Sequence, residues 1–404
     1  MNALTRLEAL GLPVLALGLC AAGCGAPAPV PSPAPPLPVD PYHQEIGPWA
    51  THGMPHVIVR DILEDRAGNV WFATFAGPIR YDGTRFENFG ERVGLPGLRV
   101  FSLLEDSAGA LWFGTVVGGV VRLDGDTSTR FTTADGLGSG NVAWILEDRD
   151  GDLWFGTDGG ATRFDGERMH TFTTADGLVD DRVYSIAQDA EGRLWFGTQG
   201  GVCWFDGRAF HDLAERVGRG FVNVRAVAVD ASGAVWFGGQ QGAFRYANGV
   251  LHEFRAADGL VEDFVGTLAV DASGALWMGH PGTRGGGGGG ATRFDGTTFE
   301  RFTPAQGLRS DQVYALFADT AGGVWFGTLA DGVCYFDGSR FVDVPSVNRR
   351  GSRARGRPGR SCPTRAPRRG GSRSRARARC RASASARAAP GPARRWSRCG
   401  PSRR

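Results

Sequence analysis

Seven tryptophans constrain this chain more than any other feature. Trp71, Trp112, Trp154, Trp195, Trp236, Trp277 and Trp325 stand 41, 42, 41, 41, 41 and 48 residues apart. Aligned on them, a Val lies 12 residues earlier in every copy: Val59, Val100, Val142, Val183, Val224, Val265 and Val313. An Asp always lies six earlier (Asp65 to Asp319), a Gly three earlier (Gly68 to Gly322), and another Gly 18 earlier (Gly53 to Gly307). Phe follows the Trp in all copies but one, where Met278 stands. A unit near 41 residues is too small to bury its own apolar faces, so such units must stack on neighbours.

Each copy reads as four short strands. In the fourth, Val183 to Gln188 is apolar and ends in Asp189-Ala-Glu-Gly192, a tight turn in which glycine supplies the left-handed backbone angle. Leu194 to Thr198 follows, Gly200-Gly201 turns into Val202 to Phe205, and Asp206-Gly207 turns into Ala209 to Leu213. Turn signals every 8–12 residues between aromatic and β-branched runs predict an all-β fold. With one Trp per unit, that fold is a seven-bladed β-propeller of four-stranded blades over residues 45–345. Two segments compete to complete the last blade. Phe341 to Val344 continues in repeat phase from Asp337-Gly338 and is preferred over the N-terminal run Glu45 to Ala50.

The stretch Leu146-Glu-Asp-Arg-Asp-Gly-Asp-Leu-Trp-Phe-Gly-Thr-Asp-Gly-Gly-Ala-Thr-Arg-Phe-Asp-Gly166 resembles the repeat of the two-component regulator propellers, and the other six copies match nearly as well. The resemblance implies an extracytoplasmic sensing domain, in several cases one associated with oligosaccharide signals. It departs from the family pattern after the seventh copy, where no membrane span, kinase or cyclase follows. One fold hosts many functions, so the resemblance bears on fold more than on role.

The flanks differ from the body. Arg6 followed by the apolar run Ala9 to Ala22 reads as a signal peptide over residues 1–23, although Glu8 is unusual there. Ala21-Ala22-Gly23-Cys24 resembles the bacterial lipoprotein cleavage box, which makes Cys24 the expected lipidation site. Residues 24–44 are Pro-rich and read as a disordered, extended linker. These features predict export to the periplasm or cell surface, with the membrane reached through the lipid anchor alone. Of the 45 basic residues, 20 are arginines between Arg349 and Arg404, where no acid occurs, so the remaining 25 face 42 acids. An acidic body argues against a nucleic-acid surface on the propeller. The Arg-rich segment 346–404 is expected to be disordered; a basic arm, a linker and an out-of-frame translation product all fit it, the last with one event. Within the body only Cys203 and Cys334 remain, three repeats apart, so they are expected to be buried and unbridged.

Strand alternation puts the Asp-x-x-Gly and Asp-Gly turns on one face and the more variable connections on the other. On the variable face, Ile58, Arg99, Asn141, Arg182, Asn223, Phe264 and Gln312 precede the invariant Val. Phe75, Val116, Asp158, Gln199, Gln240, His280 and Leu329 follow the second strand. Arg99, Asn141, Arg182, Asn223, Phe264, Gln312, Asp158, Gln199 and Gln240 are therefore the candidate ligand-binding residues, encircling one mouth of the central channel. Their chemistry suits a small polar or carbohydrate ligand, with a signalling protein as a further partner. Unselected loop drift explains the same variability. Tyr184 and Tyr314, one residue further in, are expected to pack between blades.

Catalysis has little support. Streptogramin lyases are similar seven-bladed propellers with a metal and a His base, but no acid–base pair at defined spacing stands out here. His170, His211 and His252 share one outer-strand column on consecutive blades and cannot converge on a metal. No catalytic residue, metal ligand or cofactor is assigned. A sensory propeller, a metal-dependent lyase and a protein-interaction scaffold remain the three readings.

Overall fold

The computed structural model describes residues 37, 38, 40, 57–282, 288–329, 331–342 and 344. Seven four-stranded antiparallel sheets follow one another along the chain, each with its strands in sequence order. They form blades 1 to 7 over residues 59–88, 100–131, 142–172, 183–212, 224–254, 267–302 and 313–342. The first strands of neighbouring blades touch all the way round, Val313–Ala318 meeting Val59–Glu64. This is the seven-bladed propeller that the tryptophan spacing predicts.

The repeat signature has a local cause. In every blade, the Asp six residues before the Trp accepts the indole N–H on Oδ2, at 2.6–3.1 Å. Its Oδ1 accepts the backbone N–H four residues on. The Gly between them sits at φ between 82° and 93°, where a Cβ is penalised. One carboxylate thus fixes the turn and orients the Trp. All seven indoles are at most 3 % exposed. Each packs on an aromatic of the next blade: Trp112 on Phe155, Trp154 on Phe196, Trp195 on Tyr246 and Trp277 on Phe326.

The ring closes as its internal joints do. Trp325 of blade 7 meets Phe72 of blade 1 at 5.6 Å, and the Thr320 backbone N–H donates to Glu64 at 3.0 Å. That bond repeats Arg66 to Glu105, Ser107 to Glu147 and Arg149 to Gln188 around the ring. Phe341–Val342 supplies the fourth strand of blade 7, with Tyr335 opposite Val342 and Phe336 opposite Phe341. The Tyr81 hydroxyl donates to the Val344 carbonyl across the joint at 3.1 Å.

Cys203 and Cys334 are free and buried in blades 4 and 7, and burial pushes their thiols up to about 12 and about 11. Residues 1–23, Cys24, the alternative closing run 45–50 and the Arg-rich tail lie outside the described residues. Among the described residues no helix is long and apolar enough to cross a membrane.

Candidate functional site: the mouth of the central channel

The innermost strands do not alternate cleanly. In blade 1, Val59 pairs with Thr74 but Asp61 pairs with Ala73, which leaves Arg60 as an extra, bulged residue. The same slip isolates Phe101, Ala143, Tyr184, Arg225 and Tyr314 in blades 2, 3, 4, 5 and 7. Gly266 holds the equivalent position in blade 6, one residue before the strand Thr267–Val270. A bulge re-aims a side chain that strict pleating would send elsewhere. Each of these residues is half-buried beside a fully buried Val, so together they form the wall of the channel.

Six of the seven, all but Tyr314, line a cavity of about 290 Å³ at the variable mouth, together with Arg99, Val116, Asn141, Val142 and Asp158. The Arg60 guanidinium lies 5.0 Å from the Phe101 ring and 5.2 Å from the Tyr314 ring. Arg225 stacks on Tyr184 at 3.9 Å. These are cation–π contacts rather than ion pairs. Burial, and then the charge of Arg225, pull the Arg60 pKa down to about 10. Burial likewise lowers that of Arg225. The rim is more fully paired. Arg99 Nε donates to Asp40 Oδ2 at 2.7 Å, with the Asp40 side chain wholly buried. Asn141 Nδ2 donates to Asp158 Oδ2 at 2.8 Å, while its Oδ1 accepts the Val117 N–H and steadies a residue at φ 62°.

The two-component regulator propeller family model matches residues 53–76, 94–116, 136–159, 177–200 and 307–330, falling on blades 1 to 4 and 7. Five of the seven blades carry the two-component regulator propeller repeat. The unmatched blades 5 and 6 are those that replace Thr at the end of the second strand, by Gly239 and His280. No curated protein matches this propeller. Among solved structures it resembles the extracellular domain assigned to a hybrid two-component system of B. thetaiotaomicron, at TM-score 0.62 and 21% identity, covering 72% of this chain and 41% of that one. It also resembles PorZ, a surface component of the type-IX secretion system of Porphyromonas gingivalis, at TM-score 0.55 and 20% identity, over 72% of this chain and 48% of that one. A catalytically inactive virginiamycin B lyase from Staphylococcus aureus matches at TM-score 0.54 and 16% identity, over 69% of this chain and 94% of that one. Identities this low show the fold alone. The chain spans about two fifths of the length of the first of these relatives.

The residues singled out from the sequence divide into three groups. Arg99, Asn141 and Asp158 line the cavity. Arg182 and Gln199 stand beside it: Arg182 Nε lies 3.7 Å from Asp158 Oδ1, and Gln199 Oε1 accepts the Tyr184 hydroxyl. The Tyr184 hydroxyl and Asp158 hold the Arg182 pKa above its usual value. Asn223, Phe264, Gln240 and Gln312 do not line it. Asn223 is 4 % exposed at φ 53°, a backbone position that Asn tolerates better than most residues.

Two readings are corrected. His280 is not a residue of the variable column but takes the Thr position at the end of the second strand, with Pro281 following. Its Nδ1 lies 3.0 Å from the Phe264 carbonyl and its Nε2 lies 2.8 Å from Thr292 Oγ1. Desolvation pushes it down to about 4, so it is neutral at pH 7. Tyr184 and Tyr314 face the channel rather than packing between blades. Larger hollows, of about 650, 400 and 320 Å³, lie between blades 5 and 6, 2 and 3, and 6 and 7 at the opposite turns. Their recurrence at equivalent positions marks them as products of blade splay.

Proposed function

We propose that this chain is an exported, ligand-binding sensory propeller whose small polar or carbohydrate ligand enters the variable mouth of the central channel. The observation that carries this reading is the convergence of Arg60, Arg225, Tyr184 and the Asn141–Asp158 pair on one cavity. A few convergent polar groups in a preformed hollow are what small-ligand sites require. The likeness to extracellular domains of two-component systems supports the sensory part. Binding rather than turnover is favoured because Asp158 is the one acid lining the cavity, no His or Cys joins it, and its carboxylate is occupied by Asn141. Export and anchoring through Cys24, delivery of the signal to a partner protein, and the linker and tail readings belong to the same proposal. Mass spectrometry of the membrane-extracted protein would find Cys24 as a lipidated N-terminal residue; an intact, unmodified Met1 terminus would remove that part. A thermal-shift screen of the full chain against small polar and carbohydrate ligands tests the rest. Saturable stabilisation is expected, and no response from any ligand would overturn it.

A further inference from the structure

The channel arginines say more about the ligand than its size. Arg60 and Arg225 come from blades on opposite sides of the ring, yet Arg225 is the charged group that acts most strongly on Arg60, and Arg182 adds a further like charge beside Arg225. Neither forms a hydrogen bond or ion pair among the described residues, and the Nε of each is buried without a partner. Their aromatic neighbours hold the guanidinium planes but supply no acceptor.

Nearby acids do not balance these charges. Asp61 spends its oxygens on the Ile62 and Leu103 amides, 2.8 Å each. Desolvation also pushes it up to about 7, so it is a weak counter-ion near neutrality. Asp158 is shared between Asn141 and Arg182 at the rim. Asp40 is engaged by Arg99. Two like charges in a desolvated channel, with no paired acid, work against the stability of the unliganded fold. Chains retain such arrangements where a site needs them.

We propose that Arg60 and Arg225 receive the carboxylate of a small hydroxylated acid, a sugar acid in size and chemistry, with Asn141 and Asp158 at the rim meeting its hydroxyls. This rests on the ligand-binding reading above and deepens it. A carboxylate satisfies both guanidiniums, as charge-assisted bonds between ionised partners do best. The cavity, at about 290 Å³, holds a monosaccharide-sized acid and little more. Arg99 shows the same preference at the rim, where the chain's own Asp40 carboxylate is bound.

The test titrates the full chain calorimetrically with D-glucuronate, D-galacturonate, D-gluconate and N-acetylneuraminate, each beside its neutral counterpart, at low and at high salt. At least one acid is expected to bind saturably, at least tenfold more tightly than its neutral counterpart and more weakly in high salt. Arg60→Gln and Arg225→Gln should each abolish that preference. Preference for the neutral sugars overturns the charge assignment and leaves the sensory reading standing. No binding of acid or neutral sugar counts against both. A second readout needs no ligand: Arg60→Met and Arg225→Met should raise the melting temperature if the arginines are held for a ligand. A fall of several degrees in both would show them to be structural and would overturn the proposal.

Discussion

The Asp–Trp pair carries much of the fold at the scale of single residues. In blade 4, Asp189 receives the Trp195 indole at 2.6 Å and the Arg193 amide at 2.9 Å, and Trp195 is 1 % exposed. Trp195→Ala removes a large buried ring and should cost about 3–5 kcal/mol in chemical denaturation. Asp189→Ala leaves the indole, the Arg193 amide and the Arg193 Nε without that acceptor and should cost about 1–3 kcal/mol. Asp61 gives a pH signature. Burial raises its pKa to about 7 from an ordinary value of 3.8, so the folded state keeps a proton that the unfolded chain releases between those values. Its contribution is greatest at the acid end and is lost as pH rises through that window. Asp61→Asn should therefore flatten the fall in melting temperature between pH 4 and pH 7. A parent and variant with parallel pH profiles would place the titration elsewhere.

Among the elements, corners and bulges divide the work. Thr132, Thr173 and Thr303 each close a capping box at the start of a short 3₁₀ turn between blades, and Gly136, Gly177 and Gly307 end those turns with φ near 100°. Thr173→Ala should cost about 1 kcal/mol, measured by the denaturation midpoint. The ends of these corners were legible in the sequence because their last residue belongs to the Gly column 18 residues before the Trp. The channel wall was not, because pattern reasoning assumes strict alternation and the bulge at Arg60, Phe101, Tyr184, Arg225 and Tyr314 breaks it. The signal was nonetheless present as the column just after the invariant Val, whose aromatic and Arg content differs from its apolar neighbours. The variable column just before that Val supplies mostly rim residues of the cavity, several already paired within the fold. His280 escaped because blade 6 replaces the usual Thr, which shifts the apparent end of its second strand.

For the molecule as a whole, one joint is made without a peptide connection: blade 7 against blade 1, through Trp325 and Phe72, Thr320 and Glu64, and Tyr81 and Val344. Its Trp–aromatic contact repeats that of the internal joints, its bond to Glu64 repeats those of the first three, and the Tyr81–Val344 bond is its own. The closed ring is what brings Arg60 of blade 1 and Arg225 of blade 5 to a single channel. The central claim, that the mouth of this channel is the binding site, is tested by filling it. Ala143 lines the cavity from blade 3 and is half-buried, so Ala143→Trp puts a large side chain into the hollow without removing any charge. The measurement is a thermal-shift screen with small polar and carbohydrate ligands, run in parallel on the full chain and on this variant. The account predicts concentration-dependent stabilisation of the parent, reaching about 2.7 kcal/mol at a hundredfold excess over Kd, and its loss in a variant that melts within a few degrees of the parent. Equal stabilisation of both proteins, or of neither, would contradict it.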